Sequence, residues 1–310
     1  MLLRSVVSGG TAILFVSGGV PVWLISIFIV LFGFAFGSFL NVCISRLPHR
    51  ESIVRPRSRC PKCGAEIRAR ENVPILSWIL LRGRCRACNW RIPWRYPAVE
   101  FATAALFLLC FLRFGLTIYG LGMAVFCFLL LGLAVMDAET MRLPDAFTWP
   151  GIAVGIGWSG ILLPAKEMFP PALWIPGVAG IHYSGKGQPE FLKMMMPGLV
   201  ASAACAGLAA LAILAIRWIY WIVRRREGMG LGDAKLLAMI AAWLGPMMTL
   251  LTLFLGVVNA AMFGLLWAAL RARRDASTMR LPFGSFLCAA AIYAIFAGEP
   301  LIRWYLQFFR

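Results

Sequence analysis

Apolar residues in this chain fall in blocks of roughly twenty, well beyond the single stripe of an amphipathic helix. Short clusters of Arg, Lys, Gly and Pro separate the blocks. A helix needs about 20 mostly apolar residues to cross the hydrocarbon of a bilayer. Eight stretches meet or approach that length: 22–42, 98–116, 117–136, 146–163, 197–222, 234–248, 249–270 and 283–306. They predict an all-α polytopic membrane protein with about eight transmembrane helices and one polar segment, 45–97, large enough for a small loop domain. Three parts follow: an N-terminal transmembrane anchor over 1–44, the loop domain over 45–97 and a membrane domain over 98–310. The apolar run from Pro21 to Val42 continues without a small-residue cleavage site, so it reads as a retained anchor.

Composition agrees with a lipid solvent. Hydrophobic residues make up 61% of the 310 positions and charged residues 14%, against about 25% charged in a soluble domain. The net charge of +17 could suggest nucleic acid. Its Arg and Lys residues lie in loops between apolar blocks, however, and anionic lipid together with positive-inside topology explains that pattern better. The segment 45–97 carries Arg46, Arg50, Arg55, Arg57, Arg59, Lys62 and further arginines against only Glu51, Glu66 and Glu71, which puts it in the cytoplasm. Alternating the spans from there puts loops 137–145, 223–233 and 271–282 on the same side. The last two hold Arg224, Arg225, Arg226 and Arg271, Arg273, Arg274, Arg280. The less basic loop 164–196 is then periplasmic, and Trp218, Tyr220 and Trp221 form an interfacial belt. The expected location is a membrane, crossed several times, with the basic loops on the cytoplasmic side.

The cysteines divide into two kinds. Cys43, Cys110, Cys127, Cys205 and Cys288 stand singly in or beside apolar stretches and read as small buried hydrophobes. The other four form CPKC (Cys60, Cys63) and CRAC (Cys85, Cys88) within the basic loop. Two such pairs a short loop apart suit tetrahedral thiolate coordination of a structural Zn2+. Disulfides would need an oxidising compartment, which the topology denies them, and free thiols are the plainer alternative. Four cysteines close a zinc site, so a catalytic zinc is not expected. His49 and His182 read as surface residues.

Most of the thirteen acids fall in loops or at chain ends. Glu100 begins the second span and could pair with Arg95 or cap a helix. Asp137, Glu139, Asp145 and Asp233 sit at the expected cytoplasmic membrane boundary. Ionisable groups at membrane depth are costly and therefore functional candidates. Plainer readings stand beside that one: Asp233 and Asp145 could be N-caps, and Asp137 could end its helix in headgroup water. Gly228, Gly230 and Gly232 alternate just before Asp233, a pattern that admits unusual backbone angles and a close approach.

In sequence order, the segments GSFLNVCISRLP (37–48), CPKC and CRAC with RIPWRYPAVE (91–100), DAETMRLPD (137–145), MGLGDAKL (229–236) and LPFGSFL (281–287) resemble the type IV prepilin peptidases, membrane aspartyl proteases with a Gly-x-Gly-Asp motif. The resemblance covers nearly the whole chain. It implies that Asp137 and Asp233 are the catalytic pair, with Gly230, Gly232, Lys235 and Asp145 supporting the catalytic loop. It also implies prepilin or pseudopilin substrates, cleavage at the cytoplasmic membrane face and, because the four-cysteine loop is present, N-methylation of the new terminus by S-adenosylmethionine. The methyl-donor residues are not assigned. Ser285 stands where the pattern has Pro, and loop 164–196 is long for the family. Two carboxylates brought together share a proton. Asp233 at a helix N-terminus and Asp137 at a helix C-terminus would make Asp233 the base and Asp137 the proton holder.

Three other readings are a peptidase without methyltransferase activity, an ion-coupled transporter and a zinc-bearing secretion scaffold. A transporter would place acids near the bilayer midplane and show repeated halves. Here the acids are at the boundary and no repeat is visible.

Overall fold

A computed structural model describes residues 4–8, 11–15, 21–68, 71–162, 191–225, 230–270 and 281–308. Much of loop 164–196, with His182, and also Gly228, Arg226 and the arginines of 271–280, lie outside the described residues. A short strand pair precedes the helices that make up the rest of the described chain. β1 (Arg4–Ser8) and β2 (Thr11–Phe15) form an antiparallel pair with Arg4 opposite Phe15 and Ser8 opposite Thr11. Both strands carry β-branched residues (Val6, Val7, Thr11, Ile13), which favour the extended state.

Beyond them the described elements are helical: α1 (Val22–Arg46), α2 (Leu76–Leu80), α3 (Arg95–Phe114), α4 (Ile118–Thr140), α5 (Asp145–Leu162), α6 (Phe191–Arg224), α7 (Leu231–Leu270) and α8 (Phe283–Gln307). Six of these, namely α1, α3, α4, α6, α7 and α8, contain segments long and apolar enough to cross a membrane. The eight expected spans thus become seven helices. The stretches 234–248 and 249–270 join in α7, and α5 is helical but diluted by glycines and by Thr148, Pro150 and Ser159. Large apolar side chains on the outer faces, such as Leu250, Phe254 and Leu265 on α7, are more than 60% exposed. That would be costly in water and is ordinary in lipid.

The chain forms two compact units, Met1–Gly132 and Leu133–Arg310. In the first, α1 packs on α3 through Gly33 and Gly37, four residues apart. A Cβ added at Gly33 would lie 2.5 Å from Ala104 Cα, and one at Gly37 would lie 2.6 Å from Glu100 Cα. This small-xxx-small face lets two backbones meet without side chains between them. Farther along the same helices, Asn41 Nδ2 donates to the Tyr96 carbonyl at 3.0 Å and Arg95 Nη2 to Ser45 Oγ at 3.0 Å.

In the second unit, α5, α6 and α8 pack against α7, which is broken at Gly245 (φ 73°) followed by Pro246. Proline has no N–H, so the carbonyl four residues back, that of Ala242, loses its helical donor. Ser159 Oγ of α5 and Ser202 Oγ of α6 both donate to that carbonyl, at 2.8 and 2.9 Å. In a membrane every freed backbone group needs such a partner. The break therefore ties three helices together, and Trp243 Nε1 adds a 2.8 Å bond to the Gly151 carbonyl.

Candidate active site and four-cysteine centre

Asp137 lies in the last turn of α4, where Met141, at φ 53°, folds its N–H back to the Asp137 carbonyl at 2.9 Å. Its side chain is buried at 5% exposure. The N-terminus of α8 comes to this carboxylate: the Ser285 N–H donates to Asp137 Oδ2 at 2.8 Å. Ser285 Oγ is 3.2 Å from the same oxygen and 2.8 Å from the Ala134 carbonyl, and its single proton serves one of the two. The approach needs Gly284, since a Cβ there would stand 3.0 Å from Asp137 Oδ2. The first-turn N–H groups of a helix lack full α-helical partners; the Ser285 N–H reaches the Pro282 carbonyl at 3.2 Å, and Asp137 supplies the nearer acceptor.

Asp233 lies in the first turn of α7 and its Oδ2 accepts the Gly230 N–H at 3.2 Å. Asp233 and Asp137 are close enough to interact electrostatically, and the fully buried Cys288 on α8 lies near both. Leu143, in the turn between α4 and α5, sits among these groups. A Cβ on Gly232 would meet its Cβ at 3.1 Å, and one on Gly284 would meet its Cδ1 at 3.2 Å. Small residues on α7 and α8 thus close around one leucine and bring both helix N-termini to the carboxylates.

This revises the expected division of labour. Helix position separated Asp233 from Asp137 only while α4 was considered alone. With the N-terminus of α8 against Asp137, both carboxylates face helix N-termini, and the dipole no longer distinguishes them.

Lys235 and Asp145 pair with each other, Nζ to Oδ1 at 2.5 Å, and the Lys235 ammonium lies 5.8 Å from the centre of the Trp149 ring. The pair links the start of α5 to the first turns of α7. Glu139 is exposed on the last turn of α4.

The Sγ atoms of Cys60, Cys63, Cys85 and Cys88 all lie within 4.8 Å of one another. The two pairs are built alike. In the first, Cys60 N–H reaches the Ala65 carbonyl at 2.9 Å and Gly64 N–H returns to the Cys60 carbonyl at 2.9 Å. In the second, Cys85 N–H reaches Trp90 at 2.8 Å and Asn89 N–H returns to Cys85 at 2.9 Å. Gly64 (φ 70°) and Asn89 (φ 54°) take the left-handed position that closes each turn, and these residue types tolerate it best. The Cys60 and Cys88 sulfurs are 3.8 Å apart, matching the edge of about 3.8 Å implied by a tetrahedron with 2.3 Å metal–sulfur bonds.

Protonation also favours a cation. Desolvation opposes the Cys60 thiolate, but N–H groups of Cys63 and Lys62 and the neighbouring thiols bring its pKa down to about 7. At Cys88 the Trp90 N–H favours the thiolate, yet desolvation and the three other sulfurs push the thiol up to about 11. Four crowded sulfurs do not ionise together without a positive ion among them. The remaining cysteines behave as expected for small apolar groups: Cys43, Cys110, Cys127 and Cys288 are buried and Cys205 is half-buried.

Sequence reading missed the contributions of Ser285 and Leu143 to the carboxylate site. Ser285 was visible only as a departure from Pro, and Leu143 only as part of the LPD stretch. It also left Glu100 as an ordinary helix-end acid, whereas this residue is buried and its Oε2 accepts the Ile75 N–H at 2.7 Å.

The model of the bacterial peptidase A24 N-terminal domain matches residues 31–114, and that of the type IV leader peptidase family matches residues 124–265. The prepilin leader peptidase/N-methyltransferase of Pseudomonas putida is 33% identical over 93% of this chain and 95% of the relative. That of Pseudomonas aeruginosa is 33% identical over 90% and 92%. The type 4 prepilin-like proteins leader peptide-processing enzyme of Escherichia coli O78:H11 is 33% identical over 85% and 91%. No solved structure matches significantly. By the extent of these matches, the chain belongs to the type IV leader peptidase family.

Proposed function

We propose that this protein cuts the leader from type IV prepilins or pseudopilins with Asp137 and Asp233, then N-methylates the new terminus, at the cytoplasmic face of a bacterial inner membrane. One observation carries the peptidase assignment: a buried aspartate on α4 and an aspartate on α7 interact where two helix N-termini converge on Leu143. The pair holds one proton between its two carboxyl groups. The ionised group takes a proton from the attacking water as oxygen bonds to the scissile carbonyl carbon. The protonated group donates to the developing oxyanion, and the C–N bond then breaks as the leaving amine gains a proton. Asp137 Oδ2 already accepts the Ser285 N–H, so a proton carried by Asp137 belongs on Oδ1.

The four cysteines fit a structural Zn2+ that holds the two turns of the loop domain together. Basic residues of segment 45–97 support a cytoplasmic location for it. A substrate helix could remain in lipid while its basic leader reaches the carboxylates.

The deciding experiment incubates membranes containing the protein with a prepilin. Asp137→Asn and Asp233→Asn should each abolish leader cleavage at unchanged protein abundance. Cleavage by either variant at the wild-type rate overturns the assignment. Addition of labelled S-adenosylmethionine and precut pilin then reports the methyl transfer separately.

A further inference from the structure

Asp137 and Asp233 lie on different helices, and the turn that leaves α4 runs past the start of α7. Met141 folds its N–H back to the Asp137 carbonyl at 2.9 Å, Leu143 packs against Gly232, and Asp145 opens α5. There Lys235 Nζ, two residues past Asp233, meets Asp145 Oδ1 at 2.5 Å. We propose that this ion pair is a clamp that sets the separation of the two catalytic carboxylates, which makes Lys235 and Asp145 positioning residues for the cleavage. The proposal rests on the peptidase reading and adds to it the groups that hold its two halves in register.

The seat for the lysine is built from one face of α5. Asp145 and Trp149 are four residues apart, and residues at that spacing lie one above the other on a helix. The Lys235 ammonium pairs with the first and stands 5.8 Å from the ring centre of the second, inside the reach of about 6 Å of a cation–π contact. Deeper in the bundle α5 and α7 are joined again. Trp243 Nε1 donates to the Gly151 carbonyl and Ser159 Oγ to the Ala242 carbonyl, each at 2.8 Å. Residue 145 thus meets 235 and 151 meets 243, so the two helices run in the same direction and are pinned at both ends. With the ion pair removed, the deeper ties remain, and the first turn of α7, carrying Asp233, can swing away from the turn that follows Asp137.

Rate and stability separate in such a clamp. Asp145 is exposed and Lys235 half-buried, so the pair adds little to the stability of the fold. Its effect on the reaction is larger, because a displacement near 1 Å at reacting groups can cost about a hundredfold in rate. Asp137 and Asp233 take hydrogen bonds from Ser285 and Gly230, and the clamp acts on them through the backbone. Asp145 also begins α5, where its oxygen suits the unpaired N–H groups of the first turn. Asparagine caps a helix as well as aspartate does, so Asp145→Asn removes the ion pair and keeps the cap.

The test is steady-state cleavage of a prepilin by the full-length protein in detergent, comparing the unaltered chain with Asp145→Asn, Lys235→Met and the double variant. Each single substitution should lower kcat about tenfold with KM within about twofold and thermal unfolding almost unmoved. The double variant should be no slower than the slower single one, since the first substitution already releases the clamp. Asp145→Glu and Lys235→Arg keep the pair and should stay within about threefold of the unaltered kcat. Losses that multiply to about a hundredfold in the double variant, or that fall on KM, give the two residues independent roles and overturn the clamp. Unaltered rates in both single variants overturn it as well. Should Lys235→Met fail to fold, Asp145→Asn against Asp145→Glu decides, and equal loss in those two overturns the clamp. No cleavage by the unaltered protein overturns the peptidase reading, and the clamp with it.

Discussion

The backbone N–H of Ser285 donates to Asp137 Oδ2 at 2.8 Å, across 148 positions of sequence. A helix start and a carboxylate at a helix end each satisfy a need of the other, and the bond also fixes the direction in which the carboxylate points.

Substitutions at this contact should therefore be graded. Ser285→Ala keeps the N–H and should leave cleavage within about twofold of wild type, because Oγ has the Ala134 carbonyl as its nearer acceptor. Ser285→Pro removes both donors while remaining acceptable in the first turn of a helix. It should lower kcat by about five- to tenfold, the equivalent of one hydrogen bond of about 1 kcal/mol, with KM little changed. Steady-state cleavage of a prepilin in detergent measures both constants. Equal loss in the two variants would contradict the role given to the N–H.

Gly284→Ala should be worse than either. Its Cβ would stand 3.0 Å from Asp137 Oδ2 and 3.2 Å from Leu143 Cδ1, so α8 must retreat from the carboxylate or Leu143 must move. A displacement near 1 Å at reacting groups can cost about a hundredfold in rate. Cleavage assays at matched protein abundance should show such a loss, with thermal unfolding shifted much less.

The Ala242 carbonyl offers a test of the fold alone. Ser159→Ala or Ser202→Ala leaves the other hydroxyl in place, and each should cost less than about 1 kcal/mol. The double variant leaves the carbonyl with neither serine donor and should cost more than the sum, by about 1 kcal/mol. Unfolding of the four proteins in one detergent completes the cycle.

For the cysteine centre, metal analysis should find one zinc per chain, absent in Cys60→Ser and Cys85→Ser. Protons compete with metal for thiolates, so zinc should be retained at neutral and higher pH and lost on acidification. With zinc removed by a chelator, limited proteolysis should cut between residues 58 and 92 at sites protected in the loaded protein.

Much of this was legible in the chain because two of its signals are local. Blocks of about twenty apolar residues identify helices that live in lipid whatever their neighbours. The paired cysteines announce a tetrahedral centre, and the Gly64 and Asn89 that follow each pair match the left-handed backbone found there. The motifs likewise singled out Asp137 and Asp233. Less legible was the extent of α7, whose apolar run reads as two spans, 234–248 and 249–270, but forms one helix across Gly245 and Pro246. Serines on two other helices instead satisfy the carbonyl that Pro246 leaves without a donor.

The electrostatic difference expected between the two aspartates depended on more than their own helices. A helix end acts on whatever lies within its first turn, and nothing near Asp137 in sequence reveals that α8 begins beside it. The same holds for Lys235, whose partners Asp145 and Trp149 come from α5. Periodicity and local motifs are written into neighbouring residues. Which carboxylate meets which N–H, and which meets the ammonium, depends on long-range packing of glycine faces and one leucine, and only the folded chain decides it.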